Sequence, residues 1–279
     1  KNEADAIIAD AKKHKVSIEP FNFRDDHRRC WVKNSRIVYA IPLIRDCNQS
    51  AADILYQFKD TEQKYFWALC SDLMNAGLEQ SKIKILVKLG FFSEYGNSKE
   101  LLRVFDIFEF FKFGTRKTIK KSQVVDDGFM NEVIANNSIL PTTKSGEEGK
   151  IYKNLDIPAI LNAYEDKILS LGISDLDYKI KIATQQEYLG FVSLITGIES
   201  DRRKLRIRDV IPLRRKKDGV QFGYSIITQS IGSGVESRFT VFNRVFNNDP
   251  IQKDDVILCT GYERDGAYFT MTGYTHIYA

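Results

Sequence analysis

A chain of 279 residues is long for one minimal core and points to two domains rather than one. With 43% hydrophobic and 28% charged residues and only six prolines, the composition excludes the disordered and fibrous classes. The net charge of +4 is uninformative as a total, so the placement of charge along the chain has to carry the argument. In chain order, a helix is expected over Asp5–Lys15 and a short apolar strand or turn over Ile37–Ile44, then helical stretches at Ala51–Lys59 and Thr61–Asn75. The last of these carries Phe66, Trp67, Leu69 and Leu73 at near-helical spacing and stops at Gly77. A helix over Ser81–Leu89 has Ser81 as its N-cap and Gly90 just past its end. Asn97 followed by Glu100 forms a capping box for a helix whose wide apolar stripe is Leu101, Val104, Phe105, Phe108 and Phe111.

Beyond it, Lys112–Lys121 holds five cations and no acid and reads as a solvated linker face. Pro141–Lys150 has no anchoring apolar residue and is a loop, the best site for a proteolytic nick. Helical patterning resumes over Ile157–Leu171 and Thr184–Leu194, and no internal repeat is visible. After Gly197 the period changes. Runs rich in Ile, Val, Phe, Tyr and Thr alternate with turn signals at Asp218-Gly219, Gly232-Ser233-Gly234, Asn247–Pro250 and Asp265-Gly266. Five strands fit, Lys204–Leu213, Phe222–Gln229, Ser237–Phe242, Asp255–Tyr262 and Tyr268–Ile277. Their number and spacing suit a five-stranded OB-type barrel, with a small sandwich as the competing fold.

Catalytic and metal chemistry finds little support. The acid pairs Asp25-Asp26, Asp126-Asp127 and Asp254-Asp255 are consecutive, and neighbours in a strand point to opposite faces, so they read as turn acids rather than a two-metal centre. Phosphate-loop, hydrolase-elbow and zinc-protease motifs are not found. Cys30, Cys47, Cys70 and Cys259 form no Cys-x-x-Cys pair, and His14, His27 and His276 lie far apart, so no metal site is expected. Unpatterned thiols suit a reducing cytoplasm. No secretory signal is seen and no run reaches the roughly 18 apolar residues of a membrane span, which predicts a soluble protein without a membrane partner. The chain starts at Lys1 rather than Met, which points to a fragment with sequence upstream.

The clearest signal is charge. Arg202, Arg203, Lys204, Arg206, Arg208, Arg214, Arg215, Lys216 and Lys217 lie within 16 positions, against only Asp209 among them. If Leu205 and Ile207 face the barrel core, alternation puts Arg206 and Arg208 side by side outside, and Arg214, Arg215, Lys216 and Lys217 fall in the first hairpin loop. In an OB barrel that loop and the second and third strands form the oligonucleotide groove. Phe222, Tyr224, Phe239 and Phe242 supply rings on those strands, and alternation sends Phe239 and Phe242 to opposite faces. Aromatics in small barrels pack more often than they stack on bases, so the basic run is the firmer half of the reading.

From Ile37 to Asp106 the order of features resembles the tandem helix-hairpin-helix region of the alpha subunit of bacterial DNA polymerase III, most closely in IKILVKLGFFSEYGNSKELL, residues 83–102. Gln186–Phe191 is similar to that family's helix leading into its OB domain. Phe222, Gly234, Phe239, Val241, Phe242, Val256–Gly261, Asp265 and Gly266 follow the order of its OB segment. The resemblance implies a multi-domain α and β chain: a helix-hairpin-helix-like helical domain over 1–121, a helical connector over 122–197 with its loop at 141–150, and an OB-type barrel over 198–279. It implies the non-catalytic, cofactor-free rear of a replicative DNA polymerase, with single-stranded and duplex DNA, a sliding clamp and other replisome subunits as partners. Arg45 and Lys88 in the helical region would contact DNA. Where the family has a Gly-x-Gly hairpin turn that grips phosphate through backbone N–H groups, this chain reads Ile44–Ser50, without glycine. A clean clamp motif is not found, and Gln186, Leu189 and Phe191, which have a related spacing, read as core. Two other classes stay open, an RNA-binding OB module and a protein-interaction module docking through the Leu101–Phe111 helix.

Overall fold

Period-two sequence in the last third of the chain closes on itself. In the computed structural model, which describes residues 17–18, 21–33, 36–124, 129–142, 148–192, 203–231 and 235–277, five strands form a closed barrel. They are β6 (Lys204–Arg214), β7 (Gln221–Ser230), β8 (Glu236–Phe242), β9 (Val256–Asp265) and β10 (Tyr268–His276). The order around the barrel is β10-β8-β7-β6-β9, with β10 parallel to β8 and the other pairs antiparallel, an arrangement consistent with the OB type. The competing sandwich is therefore set aside. Leu205, Ile207, Ile226, Val241, Ile257 and Met271 fill the interior. Gly261 and Gly273 sit opposite each other where β10 changes register, and a Cβ at either would come within 2.7 Å of a threonine hydroxyl on the facing strand.

Six expected features fall wholly or partly outside the described residues: the Asp5–Lys15 helix with His14, Asp126 and Asp127, the loop tip at 143–147, the end of the Thr184–Leu194 helix, Arg202, and the turn at 232–234. The described flanks of that loop pair with each other, Thr142 bridging Glu148 and the Gly149 N–H donating to the Pro141 carbonyl.

Contacts divide the chain into two units. One holds 1–21, 25–52 and 176–279, the barrel among them; the other holds 22–24 and 53–175. The barrel unit also contains a small sheet of β1 (Ser17–Ile18), β3 (Arg36–Val38) and β2 (Trp31–Lys33), a 3-10 turn at Ile41–Leu43, and the start of α1 (Gln49–Phe58). The helical unit has α2 (Phe66–Asn75), α3 (Gln80–Lys88), α4 (Ser98–Phe110), α5 (Met130–Asn136) and α6 (Ile157–Ser170), with the short pair β4 (Ile119–Lys120) and β5 (Ile151–Tyr152). Its core is aromatic, Phe92 meeting Phe23, Phe66 and Phe91 at ring-centroid distances of 5.5, 5.3 and 5.1 Å.

Helix ends explain where sequence periodicity misleads. The capping box forms as expected, Asn97 Oδ1 accepting from the Lys99 and Glu100 N–H groups while Glu100 accepts from the Asn97 N–H. Gly77 and Gly90 take positive φ, 101° and 78°, after α2 and α3. Ser81, however, is inside α3: the N-cap is Glu79, which gives no side-chain hydrogen bond to the helix end. The helix expected from Thr61 begins only at Phe66. Its cap Tyr65 makes no side-chain hydrogen bond to the helix end, and the Glu165 carboxylate of α6 supplies the acceptor instead, with the Phe66 and Trp67 N–H groups donating at 2.6 and 3.1 Å. In the barrel unit α7 covers Tyr178–Tyr188 rather than Thr184–Leu194. Asp177 caps its start, and Gly190, at φ 76°, follows its end. Tyr178, Ile182 and Val192 pack on Ile231 and Val256 of the same unit.

Candidate nucleic-acid interface

Register defines the outer face of β6, β7 and β8. Cα partners run across the three strands as Leu213–Gly223–Phe242, then Ile211–Ser225–Thr240, then Asp209–Ile227–Arg238. Steps of two along each strand keep all three rows on one side. The face is half open: Ile211, in the middle row with Ser225 and Thr240, is exposed, and Phe242, in the row at the hairpin end, is 47% exposed. The Ser225 hydroxyl is buried there with no hydrogen-bond partner among the described residues. Gly223 is required by the packing of the strands themselves, since a Cβ there would come within 2.5 Å of the Val241 carbonyl.

Basic groups stand at both margins. Arg214 ends β6, and Arg215–Val220 close the first hairpin, with the Arg215 N–H donating to the Val220 carbonyl, the Gly219 N–H to the Arg215 carbonyl, and Gly219 at φ 70°. Arg215 pairs with Asp218 at 3.1 Å; Lys216 and Lys217 are exposed beside it. On the other margin Arg238 is exposed, and Arg244 follows Phe242 in the one-turn helix α8 (Asn243–Phe246). A face with exposed Ile211 and Phe242 and with cationic margins matches what a single strand presents, base faces and phosphates.

The four expected rings separate. Phe222, 37% exposed, and Phe242 lie 6.3 Å apart between centroids at the rim of the barrel. Tyr224 instead stacks on Phe246 of α8 at 3.7 Å, and Phe239, 7% exposed, packs between Tyr262 and Phe269. Both belong to the packing of the barrel.

Arg206 and Arg208 are not the exposed pair that alternation suggests. Arg206 does point away from the core, but the turn before β9 folds over it and leaves it 2% exposed. Its Nε and Nη2 donate to Asp254 Oδ1 at 3.1 and 2.6 Å, and the Asp254 N–H donates to the Ile207 carbonyl. A guanidinium this deep needs a carboxylate partner, so Arg206 is structural. Arg208 sits in a bulge between Ile207 and Asp209, half-buried, with Nε 4.0 Å from a Glu236 carboxylate oxygen. Asp255, beside Asp254, is buried and pairs with Lys179 of α7 at 2.7 Å. Asp254 is thus a half-exposed turn acid held by Arg206, and Asp255 is a buried one rather than a solvated turn residue.

Arg45 is exposed in its turn, 3.9 Å from Asp46. Asp46 takes φ 65° without glycine, as aspartate tolerates. Yet the Arg45 N–H donates to the Tyr188 carbonyl and the Cys47 N–H to the Ile44 carbonyl, so two backbone donors of this turn already have acceptors. Lys88 ends α3 in the helical unit and is half-exposed. Phe191 is buried with its ring 5.5 Å from Tyr39, a core role as expected.

Sequence reasoning missed Ile211, Ser225, Arg238 and Arg244. The register of three strands brings the first three together, and no local motif announces them. Burial holds the Cys259 thiol above its ordinary pKa and pushes the Tyr274 phenol up to about 12; that hydroxyl donates to the Asp249 carbonyl. Among the described residues no three His, Cys, Asp or Glu side chains cluster as metal ligands, and no helix is long and apolar enough to cross a membrane. Comparison with protein-family models and with curated proteins finds no match to this chain.

Proposed function

We propose that the barrel binds single-stranded nucleic acid across the outer face of β6, β7 and β8. The observation that carries this reading is the juxtaposition of exposed Phe242 and Ile211 with Arg214 at the end of β6 and a hairpin loop holding Arg215, Lys216 and Lys217. Bases would lie on Phe242 and Ile211 and phosphates along the loop. The wider reading, that the chain is the non-catalytic DNA-handling part of a replicative polymerase, rests on motif order. It draws further support from α2 and α3, two helices joined by a short turn at Gly77 in the manner of a helix-hairpin-helix element. In that reading the helical unit holds duplex and the barrel holds template strand.

Salt titration tests the binding. If the strand neutralises about four to six phosphates, log K falls against log[salt] with a slope of roughly −3 to −4. Replacing Arg214, Arg215, Lys216 and Lys217 by Ser is expected to flatten the slope by about 1 to 3 units, with little change in melting temperature because loop charges contribute little to folding. An unchanged slope would sink the reading and leave the basic run as a solvated face. Competition between DNA and RNA of the same sequence decides which nucleic acid is preferred.

A further inference from the structure

The two ends of the barrel differ. At one, Phe246 of α8 stacks on Tyr224, and both pack against the barrel core. The other end opens into a cavity of about 390 Å³. That volume lies within the roughly 300–1,000 Å³ of small-ligand pockets.

Its walls are mostly apolar. Phe239, Tyr262 and Phe269 form a three-ring cluster with centroids 6.2 Å (Phe239–Tyr262), 5.8 Å (Phe239–Phe269) and 6.0 Å (Tyr262–Phe269) apart, and Leu205 and Cys259 continue the lining. Polar groups are few and placed elsewhere in the lining. Ser230 and Ser237 carry hydroxyls, and Arg203 brings a guanidinium, its backbone fixed by the Cys259 N–H donating to its carbonyl at 2.9 Å. The cavity also adjoins the outer face through β8. Phe239 lines the cavity, and its neighbours Arg238 and Thr240 stand on the opposite side of the strand, in the rows of the face.

We propose that this open end holds a single nucleobase, turned away from the strand lying on the β6, β7 and β8 face, with its neighbouring phosphate on Arg203. The inference rests on the nucleic-acid reading above. A planar base offers the ring cluster a stacking face, offers the two serines an edge of donors and acceptors, and brings an anion for the guanidinium. An aromatic side chain of a protein partner would satisfy the rings alone.

The test uses the full chain and short single-stranded oligonucleotides carrying 2-aminopurine, whose fluorescence changes on stacking, at one position at a time. One position is expected to respond far more than its neighbours. Val235→Trp, at an exposed site on the mouth, should block the cavity, and Tyr262→Ala removes an exposed ring without hollowing the core. Each is expected to abolish that response and to weaken binding between about fivefold and a hundredfold, with melting temperature unchanged. The four-residue loop variant, saturated at low salt, should keep the response. If oligonucleotides bind with the loop-dependent salt slope but neither cavity variant alters affinity or fluorescence, the base pocket is overturned while the face reading stands. If the unaltered chain binds no oligonucleotide, both fall. Binding of a Trp-containing peptide that Val235→Trp removes, with oligonucleotide binding untouched, would overturn the base pocket in favour of a protein ligand.

Discussion

In the helical unit Phe66, Phe91, Phe92, Phe105, Phe108 and Phe111 are all buried, whereas on the barrel Phe222 and Phe242 stand at solvent beside a cationic loop. The difference follows from shape. Helices packing through wide apolar stripes leave space that large rings fill, and those rings meet one another at 5 to 6 Å. A five-stranded barrel has a narrow interior, which Ile207, Ile226, Val241, Ile257 and Met271 share with Phe239, Phe246 and Tyr274, so further rings are left at its rim. Aromatic content therefore says little about recognition; strand register and burial decide which rings are available.

The largest expected effect lies in the helical unit. Phe92→Ala removes a fully buried ring with three aromatic neighbours and should cost about 3 to 5 kcal/mol in denaturant unfolding. Where the variant is still folded, its oligonucleotide salt slope should match that of the unaltered chain. A changed slope with an unchanged unfolding midpoint would invert the comparison and move recognition to the helices.

Next comes a pH effect from the same unit. Glu165 is 1% exposed, and burial raises its pKa from 4.5 to about 7 against the lowering effect of the Phe66 and Trp67 N–H bonds. A carboxyl group whose folded pKa exceeds its unfolded value binds its proton more tightly when folded. Its contribution to stability is thus present in full below about pH 4.5 and is lost as pH rises to about 7, a decline of about 3 kcal/mol. Glu165→Gln should remove this part of the pH dependence. Unfolding curves for both proteins across that range measure it, and identical pH profiles would mean that the α2 cap does not titrate there.

Much of the barrel was legible in the sequence because its signals are local. Each of the five strands lies within a residue or so of its expected start, and turn residues such as Asp218-Gly219 and Asp265-Gly266 mark the hairpins. The expected end of β9 is the exception, three residues short, because the hairpin ladder continues through solvent-exposed Glu263 and Arg264 where no apolar alternation marks it. What sequence pattern misses is long-range. Arg206 reads as a surface cation until Asp254, 48 residues later, folds over it. The start of α2 depends on a carboxylate 99 residues away, and α5 was not anticipated. The candidate face was half legible: the loop charges and Phe242 were, while Ile211, Ser225 and Arg238 join it only through pairing of β6, β7 and β8.

The smallest expected effect is also the most direct test of what the barrel ring does. Phe242 is 47% exposed and stands opposite Gly223, so removing it leaves no deep cavity and loses chiefly the ring contact with Phe222 at 6.3 Å. Phe242→Ala should change unfolding free energy by no more than about 1 kcal/mol, the scale of one exposed aromatic pair. If a base stacks on the ring, the same change weakens single-strand binding by about 1 to 3 kcal/mol and leaves the salt slope intact, because no phosphate contact is removed. Phe242→Trp should restore the affinity, since the larger ring keeps a stacking surface. A stability loss comparable to that of a buried ring, with affinity for the folded protein unchanged, would place Phe242 with the packing residues and leave the loop charges alone to hold the strand.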